Sequence, residues 1–292
     1  MYHSEIFSTI FDTENKESWA YFFPFIFSNN LPPSKKIYIY EDLDLILVFV
    51  HHIRNPNQIE LFFPPLILND LTIQQLKKVL KKIDQQNVRI LWVDGRDKII
   101  LERCFGHQIQ IEEKSSEYIF DPQKISLLQG SQFKDLRKKI NSIKKLNPIF
   151  THLNSEDIPE TLNFLKNWRK LQGRKNSFLL DWGYTNSSVE NFFNFDSSII
   201  KGWKVVIESE IVAIGMAGKI NHKVANFYVA KTNINIMGLS EFLRWRVFCE
   251  LDQFEFVNDA SDLGLNGLQQ HKMKFRPIGF QPIYTANLGL TV

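Results

Sequence analysis

The residues with the clearest chemical capacity lie close together near the C-terminus: Asn258, Asp262, Gly264, Gly267, Lys272, Lys274 and Arg276. Gly264 and Gly267 bracket the start of a helical pattern running from Leu265 to Phe275. The free N–H groups of a first helical turn, together with the helix dipole, attract an anion or a developing oxyanion. Lys272, followed by Lys274 and Arg276, adds positive charge that can neutralise a phosphate or a carbonyl oxygen. A plainer reading fits the same residues, with Asp262 as an ordinary cap, both glycines in turns and Lys272 on the surface.

A second group is basic. Between Lys134 and Lys175 there are eleven Lys or Arg against four Asp or Glu, so this segment carries +7 of a chain whose net charge is +3. Within it Arg137, Asn141 and Lys144 follow i, i+4, i+7 spacing and share one flank of a helix. That flank is either a set of contacts to donor phosphates or a solvated face. No P-loop, dinucleotide glycine fingerprint, HExxH or Gly-x-Ser-x-Gly occurs. His51-His52 lacks a third ligand nearby, so no metal centre is expected. His107, His152, His222 and His271 are dispersed and read as surface or cap residues. Cys104 and Cys249 are the only cysteines, and both read as small buried hydrophobes in a reducing compartment.

Elements must position these groups. The chain has 292 residues, 44% of them hydrophobic, which is enough for one large domain or two smaller ones. Most of its 25 Phe should fill the core. Lys36 to Tyr40, Leu43 to Val50 and Val88 to Val93 have strand composition, the last closing on the turn dipeptide Asp94-Gly95. Between them Leu76, Val79, Leu80 and Ile83 mark a helix opened by a capping box at Thr72 to Gln75. A basic helix spans Ser131 to Leu146 and ends at Asn147-Pro148. Ile149 to Leu153 reads as a strand, followed by a helix capped by Ser155. A meander follows (Gly202 to Glu208, Ile211 to Ile220, Ala225 to Val229), then a helix from Leu239 to Leu251. A strand from Phe254 to Val257, the helix from Leu265 and a strand from Phe280 to Tyr284 complete the order, which suits an α+β domain. The N-terminus, Met1 to Glu5, lacks signal-peptide character, and the longest apolar run, Leu45 to Val50, is too short to cross a bilayer. A cytoplasmic protein without a transmembrane segment is expected; peripheral membrane contact is compatible with these features.

The run Phe256-Val-Asn258-Asp-Ala-Ser-Asp262-Leu-Gly264-Leu-Asn-Gly267-Leu268-Gln-Gln-His-Lys272, then Phe275-Arg-Pro277 and Tyr284, resembles the phosphatidylglycerol lysyltransferase C-terminal-domain family. Tyr118-Ile-Phe-Asp121, Leu128-Gln-Gly130 with Phe133, Arg137 and Asn141, and Phe62-Phe63-Pro64-Pro65 are similar to other elements of that family. The resemblance implies an α+β fold of two tandem GNAT-like domains, as in Fem-type peptidyltransferases. We expect these over residues 1–130 and 131–292, with 131–147 as the connecting helix. Where the family carries an acidic residue before Asp-Leu-Gly and an Arg after Gly-Leu, this chain has Ala260-Ser261 and Gln269.

The resemblance also implies transfer of an aminoacyl or acyl group, from aminoacyl-tRNA or acyl-coenzyme A, to an amine or hydroxyl acceptor. No tightly bound cofactor and no covalent enzyme intermediate are expected. Asn258, Asp262 and Lys272 would serve as hydrogen-bond positioner, helix-start organiser and charge stabiliser. Arg137, Asn141 and Lys144 would contact donor phosphates. Tyr228, Lys231, Gly238 and Ser240 occupy the place of the GNAT pyrophosphate turn, without its glycine-rich basic loop. Gly264, Gly267, Arg276 and Tyr284 complete the donor and substrate set. The alternative is a non-catalytic ligand- or nucleic-acid-binding protein that keeps the GNAT-like fold.

Overall fold

The structure is a computed structural model that describes residues 2–55, 57–83, 87–173 and 181–289. Helices α1 (Tyr2–Thr13) and α2 (Phe23–Ser28) precede an antiparallel hairpin of β1 (Lys35–Asp42) and β2 (Leu45–His52), to which β3 (Ile59–Leu61) adds. Helix α3 (Asp70–Lys82) crosses to β4 (Asn87–Val93), parallel to β3, and α4 (Gly95–Phe105) leads to β5 (Ile109–Phe120). The middle of the chain supplies α5 (Pro122–Leu127), α6 (Lys134–Lys144), β6 (Ile149–His152), α7 (Ile158–Gly173) and α8 (Trp182–Glu190). An antiparallel meander follows in β7 (Ile200–Ile207), β8 (Glu210–Lys219) and β9 (Val224–Thr232). Helix α9 (Leu239–Glu250) then crosses to β10 (Phe256–Asn258), parallel to β9, and α10 (Asn266–Met273) leads to β11 (Gly279–Gly289).

Each half therefore repeats one order: three antiparallel strands, a crossover helix, a parallel strand, a helix and a last strand. This is the α+β, tandem GNAT-like architecture expected. Among the described residues one eleven-stranded sheet runs β1-β2-β3-β4-β11-β5-β10-β9-β8-β7-β6. The last strands are exchanged. β11 pairs with β4 of the first half, and β5 pairs with β10 of the second, so β5 and β11 lie side by side at the centre.

Local chemistry corrects several boundaries. Asn69, not Thr72, caps α3: its side chain accepts from Thr72 N–H at 3.0 Å while Thr72 Oγ1 accepts from Asn69 N–H at 3.0 Å. Asp94-Gly95 is a helix start, since Asp94 Oδ1 accepts from the N–H groups of Arg96 and Asp97 at 2.9 and 2.8 Å. Asn154, rather than Ser155, caps the turn that opens α7. The polar run Glu112 to Glu117 is strand because pairing with β11 engages its backbone, overriding weak strand propensity. Neither cysteine is fully buried. Cys104 Sγ lies 3.3 Å from Asp70 Oδ1, and burial pushes the Cys249 thiol up to about 11.

Phenylalanines dominate the interior. Phe248 of α9, fully buried, meets Phe120, Phe227 and Phe275 at centroid distances of 5.5, 5.6 and 6.1 Å, and this fastens α9 to the sheet. A polar knot sits among these apolar layers. Asn258 Nδ2 donates to Glu117 Oε2 at 2.6 Å and to the Glu17 carbonyl at 3.0 Å, while Glu117 also accepts from Trp19 N–H and Ser18 Oγ. Burial pushes the Glu117 carboxyl up to about 7 despite these donors.

Phe248→Ala should lower stability by about 3–5 kcal/mol, read as a smaller urea midpoint at unchanged m value. Because the folded-state pKa of Glu117 lies above its ordinary value, its stabilising contribution is complete below about pH 4.5 and lost as pH rises through about 7. The stability of the wild type measured against Glu117→Gln should accordingly decline between pH 4.5 and 8; a flat difference would mean that Glu117 does not titrate in this window.

Candidate active site

β9 and β10 pair over only three positions, Val224 to Asn226 against Phe256 to Asn258. Beyond them β9 continues to Thr232 while the other chain turns away through Asp259 to Leu265. A cleft of about 950 Å³ opens between the two. Crevices beyond the carboxyl ends of parallel strands are where open α/β sheets hold ligands.

The loop from Asp259 is fixed from below. Lys272, only 2% exposed, donates from Nζ to the carbonyls of Asp259 and Ala260. Desolvation, partly offset by the Asp259 carboxylate 3.6 Å away, brings its pKa down to about 8, so it remains charged at neutral pH. Arg244 of α9, also buried, pairs through Nη1 with the Asp259 carboxylate. Asp262 accepts from Tyr118 Oη at 2.6 Å and from Gly264 N–H at 2.9 Å. It thus closes the turn ahead of α10, whose N-cap position is Leu265. Asp262 and Gln269 both bear on the Tyr118 hydroxyl, whose pKa burial and the Asp262 carboxylate push up to about 12.

The opposite wall is aromatic. Tyr228 stacks with Tyr184 at 5.9 Å and meets Trp19 at 5.6 Å, and its hydroxyl bonds Ser188. Lys231 is buried, ion-paired with Asp181, with its Nζ 4.4 Å from the Trp168 ring. At the floor Ser240 and His271, from α9 and α10, lie in hydrogen-bond contact at 3.1 Å. Burial holds the His271 pKa below the usual histidine value, with the Glu241 carboxylate opposing that shift.

Of the residues singled out by sequence, Tyr228, Lys231, Ser240, Gly267 and Lys272 line this cleft. Asn258 lies just behind it, committed to Glu117 and the Glu17 carbonyl. Asp262 and Gly264 shape the loop at its rim. Others serve elsewhere. Arg137 donates to the carbonyls of Leu128 and Gly130, fastening the turn after α5. Asn141 is exposed, and Lys144 lies over the Trp245 ring at 4.5 Å. Gly238, at φ +90°, packs where an added Cβ would come within 3.0 Å of the Lys139 carbonyl. Arg276 is exposed, and the Tyr284 ring sits under Lys98 at 4.6 Å in the first-half core.

Sequence reasoning missed Arg244, Asp259, Trp168, Asp181 and Tyr184, and it placed His271 among surface or cap residues. The adjacency of His271 to Lys272 on one helix was the available signal; Arg244 and Asp181 stand in no motif. Among the described residues no cluster of His, Cys, Asp or Glu fits a metal ion, and no helix is long and apolar enough to cross a membrane.

Comparison with curated proteins gives no match. Solved structures do resemble the chain. A conserved protein of unknown function from Bacteroides thetaiotaomicron VPI-5482 superposes with a TM-score of 0.80 at 17% identity, covering 98% of this chain and 96% of that one. L-PGS from Bacillus licheniformis gives 0.69 at 14% identity, covering 99% and 92%. FemX gives 0.58 at 9% identity, covering 85% and 88%. At these identities the likeness establishes the fold. A family model described as phosphatidylglycerol lysyltransferase, C-terminal, matches residues 56–287, a span that contains every element of the cleft except the Trp19 segment. The chain therefore belongs to the phosphatidylglycerol lysyltransferase C-terminal family.

Proposed function

We propose that this protein transfers an aminoacyl or acyl group from an activated donor, aminoacyl-tRNA or acyl-coenzyme A, to an amine or hydroxyl acceptor. The supporting observation is the placement of Lys272 and Arg244, both buried and both cationic in character, at the mouth of a split parallel strand pair. Acyl transfer from an activated ester or thioester needs two things from a protein: alignment of the reactants and stabilisation of the carbonyl oxygen as it gains charge. The first turn of α10, which contains Gly267, and the buried ammonium of Lys272 supply positive potential on one wall. The aromatic wall of Trp19, Tyr184 and Tyr228 supplies a flat apolar surface for the transferred group.

Charge outside the cleft favours a polyanionic donor. Lys166, Arg169 and Lys170 of α7, the helix that contributes Trp168, are exposed, as are Lys134 and Lys138 of α6. Arg174 and Lys175, also counted in the basic segment, lie outside the described residues. A non-catalytic ligand-binding role is the second reading, favoured by Gln269 standing where the family carries arginine.

Lys272→Ala should reduce transfer by on the order of 10²–10³-fold while the variant still binds donor; unchanged transfer would remove Lys272 from the mechanism and an inert wild type would favour the binding role. The ammonium form of Lys272 predominates below about pH 8, so kcat/KM with a hydroxyl acceptor should fall as pH rises through that value. If aminoacyl-tRNA is the donor, its affinity should drop steeply between low and moderate salt, whereas acyl-coenzyme A should instead raise Tm at millimolar concentration.

A further inference from the structure

Lys231 fills an ammonium box built by other parts of the chain. It stands on β9 beyond the point where β10 turns away, is 6% exposed, and lines the cleft. Its Nζ pairs with the Asp181 carboxylate and lies 4.4 Å from the centre of the Trp168 ring of α7. Tyr184, one turn after Asp181 on α8, adds a second ring at this end of the cleft. Burial, together with the Asp181 carboxylate, pushes the Tyr184 hydroxyl well above the ordinary tyrosine value, so it stays neutral. A carboxylate beside an aromatic face receives an ammonium group by ion pairing and by attraction to the ring quadrupole. Here the occupant is the protein's own lysine.

The rest of the cleft offers no substitute. Among the described residues its lining carries three cationic side chains, Lys231, Arg244 and Lys272, against two carboxylates, Asp181 and Asp259. Asp259 is taken by Arg244 and Lys272, and Asp181 by Lys231. A further cation entering this space gives up its hydration, finds no free carboxylate and meets an excess of positive charge. An α-amino group, whose ordinary pKa is about 8, can enter without its proton; a lysyl ammonium, at about 10.4, or an arginyl guanidinium, above about 12, stays charged at neutral pH. The wall of Trp19, Tyr184 and Tyr228, by contrast, suits an apolar chain.

We infer that Lys231 is a specificity-determining residue: by filling the Trp168–Asp181 box it restricts the transferred group to one with an uncharged side chain, aliphatic or aromatic, and turns away lysyl and arginyl groups. This deepens the acyl-transfer reading and rests on it for the reaction, while the selectivity itself is a property of binding.

The probes are norleucine amide and lysine amide, which share a backbone and a four-carbon side chain and differ in the terminal ammonium. Binding to the full chain is read by calorimetry. The wild type should bind norleucine amide on the order of 10-fold more tightly than lysine amide. Lys231→Met vacates the box with little change of volume, and the order should reverse, with lysine amide gaining on the order of 10-fold. The double variant Lys231→Met with Asp181→Asn leaves no unpaired carboxylate in the box and should lose that gain. Lys231→Gln, whose amide still donates to Asp181, is the variant to read where Lys231→Met does not fold; it should erase the discrimination against lysine amide. A lysine that merely holds the fold would alter Tm on substitution and leave the preference where it was. A wild type that binds lysine amide as tightly as norleucine amide, or binds neither, overturns the proposal, as does a folded Lys231 variant with unchanged preference. Norleucine preference without transfer from either donor sustains the role of Lys231 and rejects the transfer reading. Transfer of a lysyl group from lysyl-tRNA by the wild type does the reverse.

Discussion

The brevity of the β9–β10 pairing governs the second half of the molecule. Three residue pairs hold the strands parallel, and at Asn226 and Asn258 the ladder stops. A sheet that ends in its own interior leaves polar backbone facing a cavity, and those groups need partners. Trp19 meets part of that need by donating from Nε1 to the Phe227 carbonyl at 3.2 Å, and Asn226 Nδ2 donates to the Trp19 carbonyl at 2.7 Å. Asn258 and Glu117 tie the same N-terminal segment to β5 and β10. The opening is thus built and braced from four separate parts of the chain.

Bracing on this scale places ionisable groups where water does not reach. Lys272 is offset by two carbonyls and a nearby carboxylate, and Arg244 by Asp259. Such pairs add little net stability, because desolvation consumes most of the Coulombic gain. Their effect is instead to fix the loop from Asp259 to Leu265 in one arrangement, with Ala260 and Leu263 held at φ +51° and +56°. A loop held this firmly keeps α10, and with it His271, in a constant relation to Ser240 on α9.

Legibility in the sequence followed locality. The meander, α9 and α10 were readable because hydrophobic period and turn chemistry act over a few residues, and the run from Asn258 to Lys272 carried the family resemblance directly. β5 was not readable, since Glu112 to Glu117 become strand only when the distant β11 pairs along them. Asn258 drew attention as a chemical group, and the structure places it behind the cleft as a brace. His271 looked like a dispersed surface residue because its partners, Ser240 and Glu241, lie about thirty positions earlier. Spatial convergence across two helices leaves no periodic mark. Arg137 shows the opposite case: a conspicuous basic helix residue whose guanidinium is taken by two nearby carbonyls.

The exchange of last strands has a consequence for how the molecule is made. The β11-facing edge of β4 and one edge of β5 remain open until Gly279–Gly289 arrives. Those residues are made after every other strand of the sheet, so the first half cannot complete its sheet until β11 has emerged, however early its own residues do. Assembly waits for β11, and the nascent chain carries two exposed strand edges until that strand is made.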